Sequence, residues 1–238
     1  MNDEQSSRLA VAFARETARS TTARLCAACV EVLAVTGAGI TIMGGGQAGP
    51  ICVSDRNVSA LEDLQFAMGQ GPCPDAFVSG VPVHAPSLDT TATMKWPSFV
   101  TLARESGIGA VFAYPLIAAG TRVGVLTIYQ HDEGQLTKEQ HDDSIALAEV
   151  LTETVLSLQD DAPPGTLAPG LADAVEYRAE IYQASGMIAV QLSIPALEAL
   201  LRIRAHAFAN DQTVAETAAL IVARRLRLPN DHQPETEV

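Results

Sequence analysis

A run of proline and glycine at residues 160–170 constrains the fold of this chain more than any other feature of its sequence. The segment reads DDAPPGTLAPG and holds three prolines and two glycines in eleven residues. Helices and β-ladders do not tolerate this density, because proline lacks a backbone N–H and glycine loses more conformational entropy than other residues. We therefore expect a linker at 160–170, which separates a domain at 1–159 from a second folded region at 171–228.

The overall composition limits the class of protein. The chain has 238 residues, of which 47% are hydrophobic and 18% charged, and this is enough for two modest globular domains. A formal net charge of −13 means that any nucleic-acid binding must rest on a local patch rather than on overall charge. No apolar run is long enough to cross a bilayer, and the N-terminus lacks the features of a signal peptide. We therefore expect a cytoplasmic protein with no membrane partner.

The first domain alternates between helical and strand patterns. Apolar spacing predicts a helix over 4–35, and two apolar runs around a Gly-rich turn in GITIMGGGQAGPICVSD predict a hairpin. Ser59 and Glu62 have the spacing of a capping box that opens the next helix. Two further strands follow in GAVFAYPLIAAGTRVGVLTIYQ, and Thr137 opens a long final helix. The fold class is therefore α+β, an antiparallel sheet flanked by helices.

The second region, 171–228, reads as three helices with short connections. The first covers about 172–190, the second about 195–209, and a capping box at Thr213 opens the third. This pattern predicts a minimal three-helix bundle with a thin core. The polar tail at 229–238 is expected to be disordered.

Four cysteines, Cys26, Cys29, Cys52 and Cys73, are the residues most able to carry chemistry. Cys26 and Cys29 form a lone CxxC within an apolar helical pattern, which favours core packing over redox or metal chemistry. A zinc site needs four ligands, and neither a second CxxC nor a suitably spaced histidine pair follows. His84, His131 and His141 are likewise scattered, so we expect no metal and no cofactor.

The order of elements in residues 1–159 resembles a GAF domain. The segment LEDLQFAMGQGPCPDAFVSGVPV is similar to a Gly-Pro-Cys segment of actinobacterial members, and WPSF with the following strand pair resembles the rest of that family. The resemblance implies a pocket, bounded by 65–115, that binds a small ligand or a partner. Cys52 and Cys73 keep a second hypothesis open, because one GAF-fold family reduces free methionine sulfoxide with cysteines.

The second region resembles ANTAR, the small output domain of transcription antitermination regulators. The resemblance lies in IYQASGMIAV, LEALLRIRAHAF and VAETAALIVARRL, in that order. It implies binding to hairpins of nascent transcripts, so that a terminator fails to form. The residues implied to contact RNA are Arg178, Gln183, Ser185, Gly186, Arg202, Arg204 and His206.

The chain departs from the ANTAR pattern at Ser185, where the family usually has a lysine. Gly186 follows it inside a helix, and we expect close packing against another helix there, because glycine otherwise destabilises a helix. An interaction module that docks protein and binds RNA weakly or not at all is the alternative function. We expect no enzymatic activity.

A homodimer is the expected assembly. A stripe of residues in the long helix steps by four, three and four, and it would pack on the sheet or on a partner helix. Its members are Leu147, Leu151, Thr154 and Leu158.

Overall fold

The computed structural model of the chain describes residues 24–44, 47–160, 163, 168–210 and 212–229. The chain divides into two compact units between Val175 and Glu176, which we call the N-terminal unit and the C-terminal unit. Most of the helix predicted over 4–35, most of the linker and the tail beyond 229 lie outside the described residues.

The N-terminal unit combines helices with one sheet. Its elements in chain order are α1 (Leu25–Leu33), β1 (Gly37–Gly44), β2 (Gln47–Val53), α2 (Arg56–Met68), α3 (Pro72–Ser79), β3 (Val83–Ala85), α4 (Thr90–Lys95), α5 (Pro97–Glu105), β4 (Ala110–Ala118), β5 (Thr121–Gln130) and α6 (Lys138–Asp160). The five strands form an antiparallel sheet in the order β2-β1-β5-β4-β3. The expected antiparallel sheet flanked by helices is therefore confirmed.

Helices cover both faces of this sheet. Side chains alternate between the two faces along each strand, so each face contributes its own residues to a core. On one face, Ile40 and Leu126 share a core with Leu147 and Leu151 of α6. The stripe predicted on the long helix thus packs, at these two leucines, on the chain's own sheet. On the other face, Tyr129 belongs to a second core formed with α2, α4 and α5.

The start of α2 differs from the sequence prediction. The helix begins at Arg56, and the Asp55 side chain caps it by accepting from the backbone N–H groups of Asn57 and Val58. The capping box predicted at Ser59 is therefore wrong, because Asp55 already accepts the free N–H groups of the first turn. This earlier start leaves Glu62 free for another role.

A disulfide joins Cys26 of α1 to Cys52 of β2. Cys29, three residues after Cys26, is a buried free thiol in the same core. Core packing is thus correct for both members of the CxxC, but the sequence analysis missed the covalent bond. The two partners are 26 residues apart, and only the packing of α1 on the sheet brings them together.

The helices of the C-terminal region are α7 (Pro169–Leu192), α8 (Ala196–Ala209) and α9 (Val214–Val222). Helix α7 begins within the expected linker, and proline is well suited to a first helical position. Thr213 and Glu216 form the predicted capping box at α9, with both reciprocal hydrogen bonds present. Within the described part of the chain, no helix combines the length and apolar composition needed to cross a membrane.

Candidate functional site

Five polar side chains lie buried between the sheet and α2. We call them the buried polar cluster, and they are Thr41, Glu62, Gln65, Thr127 and Tyr129. The Glu62 carboxylate accepts hydrogen bonds from Thr41 Oγ1 at 2.8 Å and from the Tyr129 hydroxyl at 2.7 Å. Gln65 Nε2 donates to the Tyr129 hydroxyl at 2.9 Å. These bonds tie β1 and β5 to α2 through side chains alone.

The positions of Glu62 and Gln65 along α2 place both side chains on the buried face of the helix. Val58, Leu61, Glu62 and Gln65 occupy positions i, i+3, i+4 and i+7, which is one face of a helix. Val58 and Leu61 are core residues, and all four are almost fully buried. A sequence signal for the cluster therefore existed: polar residues stand where an amphipathic helix normally carries apolar ones.

The sheet supplies the remaining members from neighbouring positions on one face. Gly39 and Thr127 are register partners on β1 and β5, and Thr41 and Tyr129 lie two residues further along these strands. A Cβ at Gly39 would lie 3.0 Å from side-chain carbons of Glu62. The absence of a side chain at Gly39 thus makes room for the carboxylate against the sheet.

Burial controls the electrostatics of the cluster. It raises the pKa of Tyr129 well above the ordinary value, and the negative charge of Glu62 raises it further. The phenol therefore stays protonated and donates to the carboxylate. Thr127 is fully buried, and within the described residues its hydroxyl has no hydrogen-bond partner.

The Gly-Pro-Cys segment closes the cluster from the side of α3. Gln65 Oε1 accepts from the backbone N–H of Cys73 at 2.8 Å. Gly71 has a φ of 136°, and a Cβ there would lie 2.3 Å from Gln65 Oε1, so only glycine fits. Of the cluster, only Gln65 lies within the expected pocket segment 65–115, because β1, β5 and the middle of α2 supply the other members.

A shallow groove of about 240 Å³ lies between β4 and α6 of the same unit. Tyr114 lines it, and the Tyr114 hydroxyl lies 2.9 Å from His141 Nδ1. The His84 and His141 rings are 5.2 Å apart, edge to face. Burial raises the pKa of Tyr114 to about 12, and burial followed by the charge of His141 lowers the pKa of His84. His84 and His141 are 57 positions apart in the sequence, and folding brings their rings together.

These side chains do not form a metal centre. Across the ranges that the structure describes, no group of three or more His, Cys, Asp or Glu residues is arranged to hold a metal ion. The thiols are also separated, since Cys52 is bonded to Cys26 and Cys73 is buried beside α2.

Two of the residues expected to contact RNA are buried in the C-terminal unit. Ser185 is 3% exposed, and its hydroxyl donates to the carbonyl of Ala196 at 2.6 Å, which joins α7 to α8. Arg204 is 9% exposed on α8. These two side chains are not displayed on the surface of their own unit, and RNA contact by the expected residues stays a prediction.

The other expected contact residues are more accessible. Gln183 and Gly186 are exposed on α7, and Arg202 and His206 are partly exposed on α8. Apart from its chain neighbours and the nearby backbone of α7, no atom of the described residues would lie within 4 Å of a Cβ at Gly186. The expectation of close packing there is therefore wrong. Arg178 lies on α7, and its side chain is outside the part that the structure describes.

Arg202 is held by an ion pair on its own helix. Its guanidinium lies 3.3 Å from the carboxylate of Glu198, one turn earlier. A longer run of basic residues follows α9, where Arg224, Arg225 and Arg227 are all exposed. These three arginines lie outside the contact set that the resemblance implies, although three arginines within four residues are visible in the sequence.

Comparison with known proteins identifies the N-terminal unit. The family model described as GAF domain matches residues 16–157. No curated protein matches the chain significantly.

Solved structures agree at the level of fold. The chain is similar to the GAF domain of a phosphoenolpyruvate-protein phosphotransferase from Coxiella burnetii, with 15% identity, a TM-score of 0.50, and coverage of 67% of this chain and 98% of that chain. The corresponding Acinetobacter domain gives 8% identity, a TM-score of 0.51, and coverage of 69% and 99%.

A free methionine-R-sulfoxide reductase from Neisseria meningitidis, solved in complex with its substrate, is also similar. It gives 15% identity and a TM-score of 0.44, with coverage of 64% of this chain and 90% of that chain. At these identities, the Coxiella and Acinetobacter structures show a shared fold alone.

Proposed function

Since the chain belongs to the GAF domain family, we propose that it is a signal-responsive transcription antitermination regulator. The GAF domain senses a small ligand, and the C-terminal unit binds hairpin RNA. The observation that carries the proposal is a contrast in polar groups. The GAF domain encloses its polar cluster, whereas the C-terminal unit exposes a run of arginines.

The buried polar cluster supports the sensing role. Polar groups inside a domain are costly unless they are satisfied, and natural cores use them sparingly. Here Glu62, Gln65 and Tyr129 connect two strands to a helix, so a ligand that changes their hydrogen bonds changes the packing of α2 on the sheet.

The surface of the C-terminal unit supports RNA binding. Arg224, Arg225 and Arg227 provide three exposed guanidinium groups within four residues. Arginine suits RNA because its planar fork binds phosphates bidentately and stacks on bases. Gln183 and Gly186 add an exposed polar side chain and an open stretch of helix backbone. The resemblance to ANTAR gives the ligand class, hairpins of nascent transcripts.

A homodimer belongs to the same proposal, because two copies would hold two RNA loops. Its support is the set of apolar side chains that the C-terminal unit leaves exposed, Tyr182, Val190 and Leu201. Sedimentation of the full chain with and without RNA measures the stoichiometry.

RNA titration tests the proposal directly. The full chain is titrated with a dual-hairpin RNA at several salt concentrations, and we expect affinity to fall steeply as salt rises. Each phosphate contact contributes about 0.7–0.9 to the slope of log affinity against log salt. Changing Arg224, Arg225 and Arg227 together to Ala should therefore reduce that slope by about 2–3.

Arg56→Ala is the matched control, because Arg56 is an exposed arginine of the GAF domain. It should leave the slope unchanged. Equal loss of binding in both variants, or no salt-dependent binding in the unmodified protein, would refute RNA recognition by this surface.

Protein docking is the alternative function, and one observation favours it. Ser185 and Arg204 lie inside the C-terminal unit, while Tyr182 is 42% and Val190 83% exposed. An apolar surface of this kind fits a protein partner better than a phosphate backbone. Binding of a partner protein that is insensitive to salt and lost in Val190→Asp would support it.

We propose a non-enzymatic role, and a thiol-dependent reductase is the remaining alternative. The disulfide occupies Cys52, and Cys73 is 1% exposed, so neither offers an accessible thiolate. Consumption of free methionine sulfoxide by the purified protein, lost in Cys73→Ser, would overturn this.

A further inference from the structure

The Glu62 carboxylate is buried without a compensating positive charge. It is 1% exposed, and its hydrogen bonds come from two neutral hydroxyls, those of Thr41 and Tyr129. Within the described residues, no lysine, arginine or histidine forms an ion pair with it. A carboxylate removed from water is strongly disfavoured unless a cation accompanies it. A positively charged group beside Glu62 would therefore stabilise the cluster.

Thr127 provides a second, independent observation. It is 0% exposed, and its hydroxyl has no partner among the described residues. Thr127 is the register partner of Gly39, and the Glu62 side chain packs against Gly39 where another residue would have its Cβ. Paired residues on neighbouring strands point to the same face of a sheet. The orphan hydroxyl is therefore directed toward the same space as the carboxylate.

The oxygen atoms of the cluster define the chemistry that would complete it. The Thr41 and Tyr129 hydroxyls already use their hydrogens on Glu62, so they and Thr127 offer lone pairs to a ligand. These oxygen atoms are best matched by a hydrogen-bond donor that carries one positive charge. A divalent metal is disfavoured, because such ions are usually bound by more than one carboxylate. An anion is disfavoured, because the negative charge of Glu62 would repel it.

We propose that the buried polar cluster binds the primary ammonium group of a small organic amine. This inference rests on the sensing half of the proposed function. The three N–H groups of the ammonium match the carboxylate of Glu62, the hydroxyl of Thr127 and one further hydroxyl. Ala113 and Val125 are buried next to Thr127 on β4 and β5, so the surroundings of the site are apolar and favour an amine with a short apolar body.

Thermal unfolding of the full chain with defined probes tests the proposal. The probes are methylammonium, ethylammonium and butylammonium chlorides, with potassium chloride, tetramethylammonium chloride and sodium acetate at the same ionic strength. We expect primary ammonium ions to raise the unfolding midpoint and the other three salts to leave it unchanged. Glu62→Gln should abolish the response, whereas Glu153→Gln, at an exposed position of α6, should keep it.

Two matched threonine substitutions keep the test independent of whether Glu62→Gln folds. Thr127→Val removes an unpartnered hydroxyl, so the free protein should be as stable as before or more stable. Its affinity for ethylammonium should fall by about tenfold or more, since a hydrogen bond to a charged group is lost. Thr41→Val, at an equally buried position, should lower the midpoint even without a probe, because Glu62 loses a donor.

Distinct outcomes overturn the proposal. An equal response to potassium would indicate an alkali-ion site, and a response to acetate alone would leave the sensing role intact with a different ligand class. An infrared band of a protonated carboxyl group that disappears in Glu62→Gln would show that no counter-charge is needed. Failure of every probe would refute the amine site, and RNA titration would still report separately on the C-terminal unit.

Discussion

Two buried hydroxyls, one in each unit, are satisfied in different ways. In the GAF domain, the Tyr129 hydroxyl bonds to side chains 64 and 67 residues away, Gln65 and Glu62. In the C-terminal unit, the Ser185 hydroxyl bonds to a backbone carbonyl only 11 residues away. A network of side chains depends on every member, whereas a bond to backbone depends on one. Loss of the Tyr129 hydroxyl should therefore destabilise the chain more than loss of the Ser185 hydroxyl.

The largest expected difference is alkaline sensitivity, because a buried thiol lies in the GAF domain. Burial raises the pKa of Cys29 from 9.0 to about 12. The folded thiol keeps its proton longer than the unfolded one, so its contribution is complete below pH 9 and is lost as pH rises toward 12. The expected slope is about 1.4 kcal/mol per pH unit, or about 4 kcal/mol over the window.

Urea unfolding of the wild type and of Cys29→Ala at pH 8, 9, 10 and 11 measures this slope. The difference in unfolding free energy between the two proteins should shrink steadily above pH 9. Parallel pH profiles would show that Cys29 does not distinguish the units.

The Tyr129→Phe substitution tests the network itself. Loss of the hydroxyl leaves Glu62 without one donor and Gln65 Nε2 without its acceptor, both buried. Each unsatisfied group costs about 1–3 kcal/mol, so we expect a loss of about 2–4 kcal/mol in unfolding free energy. Gln183→Ala, at an exposed position of the C-terminal unit, should change it by less than about 0.5 kcal/mol. Similar losses in both variants would remove the contrast between the units.

A smaller effect is expected for Ser185→Ala. One hydrogen bond to the carbonyl of Ala196 is lost, which corresponds to about 0.5–1.5 kcal/mol. Chemical denaturation followed by circular dichroism measures it, with Ser157→Ala on the exposed face of α6 as the control. A loss as large as that of Tyr129→Phe would mean that Ser185 also belongs to a network.

The Gly186→Ala substitution should give the smallest change and the opposite sign, and Gly124→Ala is its contrasting control. Gly186 lies inside α7 with open space around its Cβ position, so Gly186→Ala should stabilise the chain by about 0.5–1 kcal/mol. Gly124→Ala should destabilise it, because the new Cβ would lie 2.5 Å from the carbonyl oxygen of Thr41. Lower RNA affinity in a stabilised Gly186→Ala would place RNA against this stretch of backbone, and destabilisation would contradict the open surface.

Two segments with the same capping-box spacing show how much a local sequence pattern can predict. Thr213 and Glu216 have capping-box spacing and form that box, while Ser59 and Glu62 have the same spacing and do not. Asp55 caps the earlier helix instead. The pattern reports what a segment can do alone, and competition from a nearby cap decides whether it happens.

The functional residues also differ in how well the local sequence predicts their roles. The exposed arginines of 224–227 were legible in the sequence, because exposure and charge are properties of a short stretch. Glu62 and Ser185 were assigned to a cap and to an RNA contact, and the structure buries both. Their roles depend on which face of the helix meets the rest of the unit, and residue type alone does not determine this.

The sequence by itself determined the α+β order of the first domain, the hairpins and the capping boxes at Thr137 and Thr213, because each depends on contacts within a few residues. Only the tertiary structure decided the disulfide, the meeting of His84 with His141, and the carboxylate of Glu62 against Gly39. These contacts join segments that are distant in the chain. These contacts form only when whole helices and strands pack together, and a local sequence pattern does not specify that packing.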